Sequence, residues 1–455
     1  MGHRIKFFNE VEEQYKEEFL SNLRQLEVEQ NPIVLWSEQI DKNICKLIRK
    51  KEILAKLKNE KDPESLKNLI QKIESYVEKV KNPTYEIVFV GAIKSGKSTL
   101  INAMLDKDLA STEVTPETAV ITKFKASDSE ENFIKVKFYS FEEWEELWKS
   151  VELSGSEIFL EEYEGSYTEV ERDKWIGKEE MTIVADSLEQ LKIELSKYTS
   201  SKSIVHYFVK EVEVNLKGFN LPKRVYFVDT LGLDDVVEYR AETTRKYINS
   251  ANAVIVCVQS DSLRREEVYT ISEVFKYTGD EPEKVFIVGT QIDKLNNPKE
   301  DWEKQRNEWK KFLMSKTCYG NSSLVESNLI GVSAYIYNNI CDIDKLPAKE
   351  RNNLIYFYNG KIDSIEEPIK NFEEEALIQK FDEIKNWSNI PMLKNLISEN
   401  FLAEYTRSLI ENFKKEYEII DLEIGRYAER QIEELGKENL MLEEKIAYQY
   451  LADII

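Results

Sequence analysis

Between residues 85 and 105 the chain passes from the short apolar run Tyr85-Glu86-Ile87-Val88-Phe89-Val90 into Gly91-Ala-Ile-Lys94-Ser95-Gly96-Lys97-Ser98-Thr99, and then into Leu-Ile-Asn-Ala-Met-Leu. Buried strand, glycine-containing loop and helix in that order are the full P-loop pattern in its required context. The glycines let the backbone curl so that N–H groups converge on phosphate, and the helix dipole favours the negative charge. On this reading Gly91, Lys94, Ser95, Gly96 and Thr99 shape the loop, Lys97 neutralises the β and γ phosphates, and the Ser98 hydroxyl ligates Mg2+.

Similar buried runs follow at 225–228, 253–258, 285–288 and 329–332, separated by helical patterns at 235–250, 264–277 and 298–316. That alternation predicts an α/β P-loop domain over 83–402, with a mostly parallel sheet and helices on both faces. The segments 120–126 and 133–139 are close enough in sequence for a hairpin, so one antiparallel edge is expected. Two stretches read as insertions, an acidic and aromatic one at 140–205 with a helix after Asp186-Ser187, and another at 336–388. Residues 1–82 read as helices, with Phe8, Val11, Tyr15, Phe19, Leu23 and Leu26 on one stripe and Leu66, Leu69, Ile73, Tyr76 and Val80 on another. Asp62-Pro63-Glu64 supplies a helix start. A helical pattern also runs over 403–455, with Phe413, Tyr417, Ile420, Ile424 and Tyr427 on its apolar face. A lone amphipathic helix would leave that face wet, so a bundle or stalk from both chain ends is expected.

Further motifs stand after the later strands. Asp229-Thr230-Leu231-Gly232 follows 225–228, where a carboxylate can hold Mg2+ and the Gly232 N–H can sense a γ-phosphate. Thr290-Gln291-Ile292-Asp293, with Lys294 beside it, follows 285–288. The Asp293 carboxylate can accept both the ring N–H and the exocyclic amine of guanine, a donor pair that adenine lacks. Gln291 replaces the usual lysine, and Ser333-Ala334 stands where a last base-contacting loop would be. In the segment 112–122 several threonines compete to complete the Mg2+ shell, and Thr118 is chosen because it precedes the strand at 120–126.

A net charge of −22 over 455 residues argues against nucleic acid as the main partner. Cys45, Cys257, Cys318 and Cys341 have no paired spacing and read as reduced thiols. His3 and His206 are too few for a histidine-based centre. Gly2 is followed by Lys6 where myristoylation expects Ser or Thr, and no signal peptide or membrane-length apolar run is seen. A soluble cytoplasmic protein is expected, peripheral at a membrane if it meets one.

The sequences GAIKSGKSTLINAML, TPETAVIT, VYFVDTLGL and TQID resemble those of the dynamin superfamily, particularly bacterial dynamin-like GTPases. The separation of Lys97 from Thr118 matches that family's pattern. The resemblance implies GTP as substrate, Mg2+ as cofactor, and Lys97, Thr118 and Gly232 in hydrolysis. It also implies pairing of G domains with a second copy or a second dynamin-like subunit, and membrane lipid as a partner. Two departures bear on catalysis: Ile93-Lys94 replaces the Gln-Ser of animal dynamins, and Leu233 occupies the place where Ras-like proteins keep a water-orienting glutamine. A second reading therefore stays open, a nucleotide-dependent switch with negligible turnover that acts on a protein partner.

Overall fold

The computed structural model describes residues 38–56, 63–81, 84–111, 120–127, 129–154, 163, 168–200, 202–219, 225–233, 238–278, 281–362, 368–369, 374–397 and 401–437. The expected helix from Phe8 to Leu26, Thr118 with its neighbours, and the end of the C-terminal pattern lie outside the described residues. The chain divides into two compact units, residues 85–398 and a helical unit drawn from both chain ends.

In the α/β unit the described residues form a nine-stranded sheet. Its strands are β1 (Tyr85–Gly91), β2 (Ile121–Ala126), β3 (Asn132–Phe138), β4 (Met181–Ala185), β5 (Val209–Leu216), β6 (Val225–Asp229), β7 (Ala253–Gln259), β8 (Val285–Thr290) and β9 (Leu329–Gly331). The spatial order is β4-β3-β5-β2-β6-β1-β7-β8-β9. From β6 to β9 every pairing is parallel. These are the strands that read as unbroken apolar runs, because helices cover them. Val88, Val254, Val256 and Ile287 pack there with Ile271, Val274, Trp302 and Trp309 from the covering helices.

The other half is mixed. Strand β2 runs antiparallel to β6 and parallel to β5, while β3 runs antiparallel to both β5 and β4. The hairpin expected from 120–126 and 133–139 does not form, because β5 lies between the two strands. Charge explains the order. A direct β2–β3 pair would set Lys123 and Lys125 near Lys135 and Lys137, and like charges opposed across strands destabilise a sheet. With β5 between them, Glu211 lies 3.1 Å from Lys123 and 3.2 Å from Lys137, and Glu213 lies 3.7 Å from Lys125.

Neither expected insertion is a mere appendage. The first supplies edge strand β4, and its Trp144 and Tyr163 form an aromatic core with Tyr207 and Phe208 just beyond it. Its helix Leu188–Thr199 starts where Ser187 accepts the Gln190 N–H at 3.1 Å. The second builds its own core from Ile340, Leu354, Tyr358 and Ile384.

The helical unit contains Glu38–Lys56, Pro63–Lys81 and the long helix Phe401–Lys437. Leu66, Leu69, Ile73, Tyr76 and Val80 are buried, as are Phe413, Tyr417, Ile420, Ile424 and Tyr427. The Tyr76 hydroxyl donates to the Phe413 carbonyl at 3.1 Å. Among the described residues no helix is long and apolar enough to cross a membrane.

Candidate nucleotide site

The loop between β1 and the helix Lys97–Leu105 is held by its carbonyls. Lys94 O accepts from Gln259 Nε2 at 2.7 Å and from Gln291 Nε2 at 3.0 Å. Ser95 O accepts from Thr290 Oγ1 at 2.5 Å. Carbonyl and following N–H point opposite ways in a trans peptide, so the Gly96 N–H is turned away from β8. Lys94 and Gly96 both take left-handed backbone angles, φ 66° and 85°. Gly91 is required by space: a Cβ there would lie 2.4 Å from Ser95 Oγ and 2.9 Å from the Cys257 carbonyl. Residues 94–96 thus alternate, with left-handed Lys94 and Gly96 on either side of Ser95, a curl that suits an anion-binding nest.

Lys97, first in that helix, donates Nζ to the Asp229 carboxylate and, at 2.6 Å, to the Thr230 carbonyl. Asp229 ends β6 opposite Phe89 of β1, and Thr230 Oγ1 donates to the Phe89 carbonyl at 2.8 Å. The P-loop lysine and the D-x-x-G aspartate, 132 residues apart, therefore meet. Ser98 is half-buried in the same helical turn and Asp229 is buried. A hydroxyl and a carboxylate are the hard oxygen donors that Mg2+ takes, so this donor set fits the ion the family implies. Beneath the loop, burial pushes the Cys257 thiol up to about 12, outweighing the pull of Lys97, so it stays neutral. Gly232 is half-buried, and the Leu233 side chain is packed in the core.

Strand β8 delivers the third motif. Gln291 turns the chain with φ 61°, and Ile292–Lys294 forms a single 3-10 turn. Asp293 Oδ1 accepts from Ser333 Oγ at 2.6 Å, joining residues 40 apart. The same Ser333 oxygen accepts the Ile336 N–H at 3.2 Å and caps the helix Ala334–Cys341, where Ala334 is buried. Lys294 Nζ donates to Gln291 Oε1 at 2.6 Å. Under this turn the Trp302 indole lies flat on β8 and β9: a Cβ would lie 2.3 Å from it at Gly289 and 2.4 Å at Gly331.

The structure thus brings Lys94 to Gln291, Ser95 to Thr290, Lys97 to Asp229 and Asp293 to Ser333. Sequence reading missed Gln259, Asn338 and Lys361. Asn338 donates to the Thr99 carbonyl at 3.1 Å, and Lys361 donates to the carbonyls of Asp293 and Leu295. None lies in a recognisable motif, and only three-dimensional proximity gives them a part.

Strand order and the sequence of loops define the class, a P-loop GTPase domain. Residues 87–292 match the family model described as Dynamin family. Dynamin-like protein 1 of Campylobacter jejuni subsp. jejuni serotype O:23/36 (strain 81-176) is 27% identical over 346 residues, 73% of this chain and 45% of that protein. An uncharacterized protein in the xynA 3' region of Caldicellulosiruptor sp. (strain Rt8B.4) is 28% identical over 210 residues, 46% of this chain and 40% of that protein. The chain spans less than half the length of these curated relatives. A solved chain of an oligomerised bacterial dynamin pair, described as sensing and tethering membranes at long range, is 19% identical with a TM-score of 0.47, covering 88% of this chain and 49% of that one.

Proposed function

We propose that the protein binds GTP with Mg2+ and hydrolyses it. The observation that carries this reading is the polar tie between two loops. Asp293, fixed by Ser333, sits two residues from Gln291, whose amide reaches the P-loop crest at Lys94 O. Phosphate-binding and base-reading groups are then set in one frame, which is what a guanine nucleotide requires. Gly91, Lys94, Ser95, Gly96, Lys97 and Thr99 would receive the phosphates. Thr290, Gln291, Asp293, Lys294, Ser333 and Ala334 would receive the base. Ser98, Asp229 and Thr118 would hold Mg2+, which when bound offsets phosphate charge. Gly232 would report the γ-phosphate through its N–H.

Leu233 is buried and cannot orient water. Completion of the catalytic site by a second copy, or by a second dynamin-like subunit facing the nucleotide, follows from that gap. Exposed Ile93 and Lys94 at the loop crest are available to such a partner. Hydrolysis would then move the helical unit as a stalk. Peripheral membrane contact is supported by the family alone, and a cytoplasmic location by the sequence alone.

Steady-state GTP hydrolysis of wild type and Lys97→Ala tests the enzyme reading. The variant should lose about a hundredfold or more, because a charge aimed at the transferring phosphoryl group is removed. Equal turnover rejects it. The buried Leu233 also favours the non-hydrolysing switch, and single-turnover kinetics separate the two, since a switch leaves bound GTP intact. Mass measurement with GDP and with a transition-state mimic reads the pairing, and liposome co-sedimentation reads the membrane.

A further inference from the structure

We propose that Lys361 is a positioning residue for guanine selection, acting through the backbone of Asp293. This rests on the guanine-binding reading above and assigns a task to the stretch at 336–388. Lys361 closes the helix Ala348–Lys361, whose Leu354, Ile355 and Tyr358 are buried. Its Nζ donates to the Asp293 carbonyl at 2.7 Å and to the Leu295 carbonyl at 2.8 Å.

The bland alternative is a surface lysine that caps its own helix, since an ammonium near a helix C-terminus is drawn to the last carbonyls of that helix. Lys361 instead bonds carbonyls 68 and 66 residues away in sequence. The turn it grips needs a grip. Ile292–Lys294 is one 3-10 turn entered through a left-handed Gln291, and the Ile292 N–H reaches the Val332 carbonyl, just past β9, at 3.4 Å. The Asp293 carboxylate can accept two guanine N–H groups only if its backbone is fixed to within a fraction of an ångström. Ser333 holds the side chain, and Lys361 holds the main chain on both sides of the residue.

A neighbouring contact supports the same task. Asn338 of the same stretch binds the Thr99 carbonyl in the P-loop helix, so the stretch buttresses both loops from behind. Lys361 meets the turn through the main-chain carbonyls of Asp293 and Leu295, so its effect falls on base binding and not on phosphoryl transfer.

The test uses the full chain with Lys361→Met, Lys361→Arg and Asp293→Ala, and competition of GTP, GDP and inosine triphosphate against a fluorescent guanine nucleotide. Lys361→Met should weaken GTP and GDP alike by about tenfold, which is about 1.4 kcal/mol. It should raise KM while leaving kcat at saturation within about twofold. The preference for GTP over inosine triphosphate, which lacks the exocyclic amine, should shrink, and arginine should restore most of it. A nucleotide affinity within about twofold of wild type in Lys361→Met, with Asp293→Ala strongly impaired, overturns the Lys361 role and leaves the guanine reading standing. An Asp293→Ala protein that still prefers guanine overturns both. Should the methionine variant not fold, Lys361→Gln, which keeps a donor without charge, is expected to show a shift of about threefold, and no shift overturns the proposal.

Discussion

Replacing Lys50 by methionine should destabilise the helical unit more than any surface change in it. The Lys50 side chain is 0% exposed, and its Nζ lies 2.5 Å from Oδ1 of Asp421, which is 11% exposed. At an effective dielectric near 20, that separation corresponds to about 7 kcal/mol of gross attraction, most of it offset by desolvating both ions. Removing one partner forfeits the attraction and keeps the desolvation of the other, a cost of about 3–5 kcal/mol. Asp421→Leu should cost a similar amount. The double variant Lys50→Met with Asp421→Leu should recover to within about 1 kcal/mol of wild type, because an apolar pair of similar volume needs no partner. The pair spans 371 residues, so the cycle also asks whether the two chain ends fold as one body. Urea unfolding followed by far-UV circular dichroism on all four proteins reads it. For a slope of about 1–3 kcal/mol per molar urea, each single variant should move the midpoint of the helical transition by about 1–5 M. Single variants within 1 kcal/mol of wild type, or a double variant equal to their sum, would refute the coupling.

Two other outcomes follow from the α/β unit. Burial alone would raise the Glu211 carboxyl, but Lys123, Lys137 and the Tyr247 hydroxyl pull it from 4.5 down to about 2. Its folded value is depressed, so its contribution of about 3 kcal/mol is complete above pH 4.5 and is lost as pH falls toward 2, with roughly 2 kcal/mol gone by pH 3. Glu211→Gln should flatten that part of the stability–pH curve measured by urea titration at pH 5 and 3, and an unchanged slope contradicts the assignment. Gly331→Ala should press a methyl to 2.4 Å from the Trp302 indole, which cannot retreat because it also lies on Gly289. A loss of about 1–3 kcal/mol and a melting point lower by a few degrees are expected in a thermal scan, and no change would mean that the ring moves freely.

What could be read from the sequence, and what could not, divides along the sheet. β1, β6, β7, β8 and β9 are legible because burial on both faces demands unbroken apolar runs, and all but β7 end at a loop whose residue types have a chemical reason. Strand β5 is not. Val209-Lys-Glu-Val-Glu-Val-Asn-Leu mixes charges into its run, and those charges serve lysines on strands more than seventy residues earlier. Sequence proximity therefore suggested a β2–β3 pair where electrostatics placed a third strand between them. Residues with chemistry in their own motif, such as Lys97, Asp229 and Asp293, could be found one at a time. Gln259, Asn338 and Lys361 act on backbone carbonyls of distant loops, and a carbonyl leaves no mark in the sequence.

By residue type alone, a glutamine at 291 in place of the usual lysine removes a charge from this loop. The geometry gives it a different meaning. Gln291 donates through Nε2 to the Lys94 carbonyl at 3.0 Å and accepts through Oε1 from Lys294 at 2.6 Å. An amide can do both at once, whereas an ammonium carries donors only. A lysine at 291 could keep the first bond, but it would face the Lys294 ammonium instead of binding it. Gln291 and Lys294 therefore form one unit, in which the cation has moved three positions along the chain and the glutamine relays it to the phosphate loop. The tie between the turn at 290–294 and the P-loop is kept with this substitution, and with it the geometry that the proposed reading of guanine and phosphate together requires.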